Sequence, residues 1–210
     1  GIMWIADEVM VGFGRTGAWF GFDHAGVAPD LVAFAKGVNS GYVPLGGVIL
    51  SDEVYATFLE RAFPGGLTYS GHPLACAAAV ATLDAMADEG MIDHARAIGA
   101  EVLGPGLQEL AERHPTIGEV RGLGVFWAIE LVRDRRTRQM LVPYNASGPD
   151  AAPMTELLTA CRERGLMPIA NYNRLHVVPP CNISAADARA GLEMLDDALG
   201  VIDHYYGSTA

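Results

Sequence analysis

The sequence holds thirteen arginines and a single lysine, Lys36. Arginine serves wherever a positive charge is enough, so a lone lysine points to a place where a guanidinium fails. The clearest such place needs a primary amine that can lose its proton and condense with a carbonyl. Lys36 stands in Leu-Val-Ala-Phe-Ala-Lys-Gly, at the end of an apolar run, a poor setting for a solvated charge. Asp7 ends a second apolar run, Gly-Ile-Met-Trp-Ile-Ala-Asp. Both runs read as short strands, and ligands of α/β folds bind at the carboxyl ends of strands. The two side chains are therefore expected to converge on one pocket, a buried carboxylate opposite a buried amine. The plainer readings are a chance surface lysine and a carboxylate that caps a helix or loop.

The segments that must position these groups alternate between strands, glycine-rich loops and helices. Residues 1–7 read as a buried strand with no lead-in, as expected for the later part of something longer. A Gly-rich loop over 11–17 and an aromatic stretch near Trp19, Phe20 and Phe22 precede a strand at 31–34, which leads to Lys36. A third strand is predicted over 45–50, and Ser51-Asp52-Glu53 opens a helix with an acidic first turn. A second loop, 65–71, runs into an Ala-rich helix from Pro73 to about residue 87. Small residues cover nearly every face of that helix, which predicts burial all round. A further helix is expected over 91–113, kinked near Gly104-Pro105-Gly106. From Ile117 the pattern becomes β-β-α-β-α: a strand over 120–131, a charged turn at 133–138, a loop at 145–153, a helix over 154–164, a strand at 175–178 and a last helix over 184–205. Two domains are expected, residues 1–89 and a smaller α+β domain over 90–210. No internal repeat or low-complexity tract is present.

Composition removes whole classes of function. A formal charge of −11 disfavours nucleic acid and anionic membranes, which attract basic surfaces. No apolar run approaches the ~20 residues that span a bilayer, and the first residues lack a secretory signal pattern. Cys76, Cys161 and Cys181 are odd in number and widely spaced, and read as reduced thiols of a cytosolic protein. Gly12-Phe-Gly14-Arg-Thr-Gly17 matches a dinucleotide-binding pattern, but no helical period follows it and Asp7-Glu8 would repel a pyrophosphate. These glycines are expected to shape a tight loop beside another ligand.

An acid and a lysine at neighbouring strand ends suit pyridoxal 5'-phosphate (PLP): the acid keeps the pyridine nitrogen protonated and the lysine carries the cofactor as a Schiff base. Three ordered blocks, Ile-Ala-Asp-Glu-Val-Met-Val-Gly-Phe-Gly-Arg-Thr-Gly, Pro-Asp-Leu-Val-Ala-Phe-Ala-Lys-Gly and Thr-Tyr-Ser-Gly-His-Pro-Leu-Ala-Cys-Ala-Ala-Ala, resemble the signatures of class III (ω-amino acid) aminotransferases. The similarity continues through Val-Arg-Gly-Leu-Gly-Val-Phe-Trp-Ala-Ile-Glu-Leu to Val-Pro-Pro-Cys-Asn-Ile-Ser, essentially the whole chain.

The resemblance implies an α/β fold of the fold type I PLP-dependent transferases, with residues 1–89 as the C-terminal part of the large mixed-sheet domain. It implies that Asp7 pairs with the pyridine nitrogen, that Val9 packs against the ring face and that Lys36 is the Schiff-base lysine. Thr68 would bond the cofactor phosphate of a neighbouring subunit, so a homodimer is implied. Some members place an arginine just before the small-domain Pro-Pro to hold a substrate carboxylate; here His176 stands there, with Arg174 two residues earlier on the same strand face. Family members are roughly twice this length, so the chain is expected to be a fragment, inactive alone, of a cytoplasmic enzyme. The segments Asn-Ser-Gly-Tyr-Val-Pro-Leu-Gly-Gly-Val and His-Val-Val-Pro-Pro-Cys most resemble members acting on taurine, β-alanine or related ω-amino acids, with pyruvate or 2-oxoglutarate as acceptor. The alternatives are an aminomutase, racemase or decarboxylase of the same family, or a catalytically silent truncated product.

Overall fold

The computed structural model describes residues 1–208 and divides into two compact units, Gly1–His94 and Ala95–Ala210. The first contains a three-stranded sheet in the order β1 (Ile5–Asp7), β2 (Leu31–Phe34), β3 (Gly47–Leu50). β1 runs parallel to β2 with Asp7 opposite Ala33, and β3 returns antiparallel. Only the last three residues of the expected first strand pair with a neighbour. The residues before them are open, Ile2 at 97% exposure, because β1 is the outer strand of this sheet. Asp30 fixes the entry to β2 by accepting the Trp4 N–H at 2.7 Å. β3 begins at Gly47, where a side chain would strike the Phe34 ring.

Ser51 caps α1 (Asp52–Ala56) through the Val54 N–H, as its position before two acids suggests. α2 (Pro73–Asp88) starts at a proline behind a His72 cap. The expectation of burial on every face fails: Ala75, Ala79 and Met86 are buried, whereas Leu74 and Val80 lie largely open. Small side chains permit close packing all round, but the unit supplies only one surface to pack against. That surface is the cluster of Phe13, Val38, Phe20, Phe34 and Leu45.

α3 (Met91–Ile98) continues through a π-helical turn, Gly99–Leu103, into α4 (Gly104–Arg113). The irregularity expected at Gly104-Pro105-Gly106 therefore falls one turn earlier. Pro105 has no N–H to donate back to residue 101 and its ring crowds that carbonyl, so the preceding turn widens. Gly99 admits the backbone of Gly124, which would lie 2.0 Å from an added Cβ.

In the second unit β4 (Ile117–Leu123) and β5 (Phe126–Asp134) form a hairpin about Gly124, whose φ of 54° makes the reversal. The single strand expected over 120–131 is thus two. A short β6 (Gln139–Met140) also pairs with β5. After α5 (Ala152–Glu163) a second hairpin, β7 (Ile169–Asn171) and β8 (Arg174–Val177), completes the antiparallel order β4-β5-β8-β7. α6 (Ala185–Leu199), capped by Ser184, passes into a 3-10 turn over Gly200–Tyr205. Leu107, Ile129, Leu131, Leu157, Leu175 and Leu199 are fully or almost fully buried in the core between sheet and helices.

His114 ties the end of α4 to the C-terminal segment. Its ring is buried, with Nδ1 2.7 Å from Asp203 and Nε2 2.6 Å from Asp196, while Thr116 donates to the other Asp203 oxygen at 2.8 Å. Removing the ring takes one partner from each carboxylate, leaving Asp203 with Thr116 and Asp196 with Arg113. His114→Leu is expected to lower stability by about 2–3 kcal/mol, read as a drop in the urea midpoint. An unchanged midpoint would show that the bridge contributes nothing.

His176 on β8 gives a pH-dependent test. Burial, and secondarily the charge of Arg174, lower its pKa below the ordinary 6.5. The unfolded chain then binds a proton more readily than the folded one. Stability is intact above 6.5 and is lost as pH falls from there through the folded value. His176→Gln should gain stability relative to the wild type as pH drops from about 7 to 5. Urea midpoints whose difference stays constant over that range would contradict it.

Candidate active site at the ends of β1 and β2

Parallel pairing brings the carboxyl ends of β1 and β2 to one edge of the sheet. β1 ends at Asp7 and β2 at Phe34; two residues later Lys36 opens a 3-10 turn, Lys36–Asn39. The Glu8 N–H donates to the Ala33 carbonyl at 2.8 Å, so the strands stay joined one step beyond Asp7. Asp7 and Lys36 thus share an edge, as the sequence suggests. Both are exposed in this chain, however, not buried. The reason is their place: they stand at the open end of a sheet whose outer strand is β1.

Lys36 has φ 44°, in the left-handed region. A side chain there costs about 1–2 kcal/mol, which the surroundings must offset, and such strain concentrates where a side chain has to be aimed. The anchors are visible. Val38 and Asn39 are buried, and Asn39 donates to the Val43 carbonyl and accepts from the Gly41 N–H. Gly37 lies so close to Phe13 that an added Cβ would come within 2.9 Å of that side chain. Lys36 itself remains open between these fixed neighbours.

Asp7 accepts the Val9 N–H through Oδ1 at 3.2 Å, and Val9 is half-buried. The loop that follows closes on itself through Phe13 N–H to the Trp19 carbonyl at 2.6 Å and Gly14 N–H to the Ala18 carbonyl at 3.1 Å. Gly14 and Gly17 have φ of 87° and 79°. No helix starts inside this loop, so its glycines offer no helix N-terminus to a pyrophosphate.

Thr68 sits on an exposed turn in which the Ser70 N–H donates to the Leu67 carbonyl, ahead of α2. Arg174 and His176 belong to the second unit, on either side of the fully buried Leu175. His176 borders a mainly apolar cavity of about 330 Å3 with Leu166, Val178, Pro179, Ile183 and Leu192. Of the six residues singled out from sequence, the structure brings Asp7, Val9 and Lys36 to one sheet edge and places Thr68 elsewhere in the same unit.

Sequence reasoning missed Glu8. It is 3% exposed, and its carboxylate accepts the N–H groups of Gly21 at 2.7 Å and Phe22 at 2.9 Å. The available signal was an acid directly after a strand, followed thirteen residues later by a glycine.

The family model described as aminotransferase class-III matches residues 1–199. The 4-aminobutyrate aminotransferase GabT of Escherichia coli (strain K12) is 41% identical over 200 residues, covering 93% of this chain and 43% of that protein. The taurine–pyruvate aminotransferase of Rhodobacter capsulatus is 41% identical over 207 residues, covering 92% and 43%. Among solved structures, the taurine:2-oxoglutarate aminotransferase of Bifidobacterium kashiwanohense, in complex with PLP and glutamate, superposes with a TM-score of 0.91. It is 36% identical, covering 97% of this chain and 45% of that one. This chain therefore spans less than half the length of these relatives. The lysine and acid at adjoining strand ends, the fold and the match over residues 1–199 lead to one conclusion: the chain belongs to the class III aminotransferases, with the fold type I architecture of PLP-dependent transaminases.

Proposed function

We propose that this chain is the lysine-bearing portion of a PLP-dependent aminotransferase that moves an amino group from an ω-amino acid or amine to a 2-oxo acid such as pyruvate or 2-oxoglutarate. The observation that carries the proposal is the lone lysine, held in a left-handed backbone conformation at the same sheet edge as the carboxylate of Asp7. That donor set fits the cofactor. A primary amine attaches an aldehyde, and a carboxylate holds a proton on a pyridine nitrogen.

When bound, PLP supplies an aldehyde carbon that exchanges one amine for another and a ring that takes up negative charge. Lys36 Nζ would hold the cofactor and would serve as the base that moves a proton at the substrate carbon. Asp7 stabilises positive charge on the ring nitrogen, its orientation set by the Val9 N–H. Val9 would lie against the ring, the Thr68 hydroxyl would bond the phosphate held by a second subunit, and Arg174 and His176 are the candidate groups for the substrate's acidic end. In this reading residues 1–89 are part of the large domain and 90–210 are the small one. The complete enzyme is a cytoplasmic homodimer whose remaining portion supplies the rest of the phosphate site.

The donor class is supported by the relatives, which are named for taurine, 4-aminobutyrate, 5-aminovalerate and putrescine. In each the reacting amine stands at a chain end without an adjacent α-carboxylate. Among the described residues no helix is long and apolar enough to cross a membrane.

In the complete protein, Lys36→Arg should reduce 2-oxo acid-dependent amino transfer by a factor on the order of 10⁴. Asp7→Asn should reduce it by a factor on the order of 10². Initial rates of amino acid formation with taurine or 4-aminobutyrate as donor measure both, and undiminished turnover by the Lys36 variant would refute the assignment. The 210-residue chain alone should show no turnover in the same assay. A measurable rate from the purified chain contradicts that expectation.

A further inference from the structure

Glu8 is the most deeply buried acid of the first unit, and none of the roles above uses it. Burying a carboxylate is costly unless its oxygens are satisfied. Here each oxygen takes one backbone N–H, from Gly21 and from Phe22, thirteen and fourteen residues away. A glutamine would fit the space but would turn an amide nitrogen toward one of those donors. Two glycines make the approach possible. A Cβ at Gly21 would press within 3.3 Å of the carboxylate, and one at Gly12 would come within 2.8 Å of the Glu8 carbonyl.

The anchored loop carries an aromatic relay. Phe22 stacks on Phe20 at 5.4 Å, and Phe20 meets the edge of Phe13 at 5.4 Å. Phe13 in turn packs against Phe34 at 5.8 Å and against Gly37. These last two residues flank Lys36. At its other end Glu8 follows Asp7 directly, and its N–H is bonded to β2. Residue 8 therefore connects the two strand ends by two routes: its backbone N–H through the sheet, and its carboxylate through the Gly21–Phe22 backbone and the aromatic relay.

We propose that Glu8 is a positioning residue that holds the Asp7 segment and the Lys36 turn in fixed relation by pinning the Gly21–Phe22 backbone under the aromatic relay. The inference rests on the proposed function for its purpose, but its geometry is testable without cofactor. Hydrogen exchange with mass spectrometry on the 210-residue chain, for the wild type, Glu8→Gln and Glu8→Ala, reads the backbone directly. It is run where circular dichroism shows each variant folded.

Exchange at residues 36–39 should rise by about tenfold or more in Glu8→Ala and by less in Glu8→Gln, alongside a rise at 20–24. Residues 117–178 should be unchanged. A rise confined to 20–24, with 36–39 as in the wild type, would reduce Glu8 to a loop cap and overturn the proposal. A uniform rise across the chain would overturn it equally. Should both variants fail to fold, Phe13→Leu enters the same relay lower down: faster exchange at 36–39 supports the link, and none breaks it. Failure of the complete protein to take up PLP would count against the proposed function alone and leave this exchange pattern standing.

Discussion

The parallel pairing of β1 with β2 is the constraint on which the candidate site depends. Three register pairs end at Asp7 opposite Ala33, and the Glu8 N–H to the Ala33 carbonyl extends the pairing one step further. Were the strands antiparallel, the acid and the amine would stand at opposite ends of the sheet. Parallel strands need a long crossover. Here that connection is the closed loop and aromatic cluster between Asp7 and Leu31, so the segment that joins the strands also supplies Phe13, which packs against Gly37 and Val38 just after Lys36. Lys36 itself takes a left-handed conformation and stays exposed, while Val38 and Asn39 after it are buried.

The two units solve different packing problems. The second has an antiparallel sheet covered by helices, a core of fully buried leucine and isoleucine, and a buried histidine bridging two carboxylates. The first buries far less. Its strands are short, its outer strand is open, and Tyr69, Leu67, Phe63 and Val48 are more than half exposed. The chain spans 43–45% of the length of these relatives.

Much of this was legible in the sequence, for local reasons. The lone lysine, the strand ending at Asp7, the Ser51 start of α1 and the proline start of α2 are each fixed by a few neighbouring residues. The illegible parts depend on what other segments provide. Composition showed that α2 could pack on every face, not that one surface would be available. The apolar run over 120–131 hid a hairpin because its reversal rests on one glycine. In the sequence Glu8 registers only as a second negative charge beside Asp7. Its burial depends on a loop folding back from thirteen residues away, which no local pattern records. The exposure of Lys36 and Asp7 has the same origin, since spacing reports where side chains sit along strands and not what covers them.

Chemical trapping on the complete protein tests the placement of the amine most directly. Borohydride reduction in the presence of PLP, followed by peptide mapping, fixes whichever nitrogen has condensed with the aldehyde. A single reduced adduct on the peptide containing Lys36 is the outcome required by an amine presented at the shared strand edge. An adduct on another amine, or a bound cofactor that borohydride leaves unattached to Lys36, would contradict it.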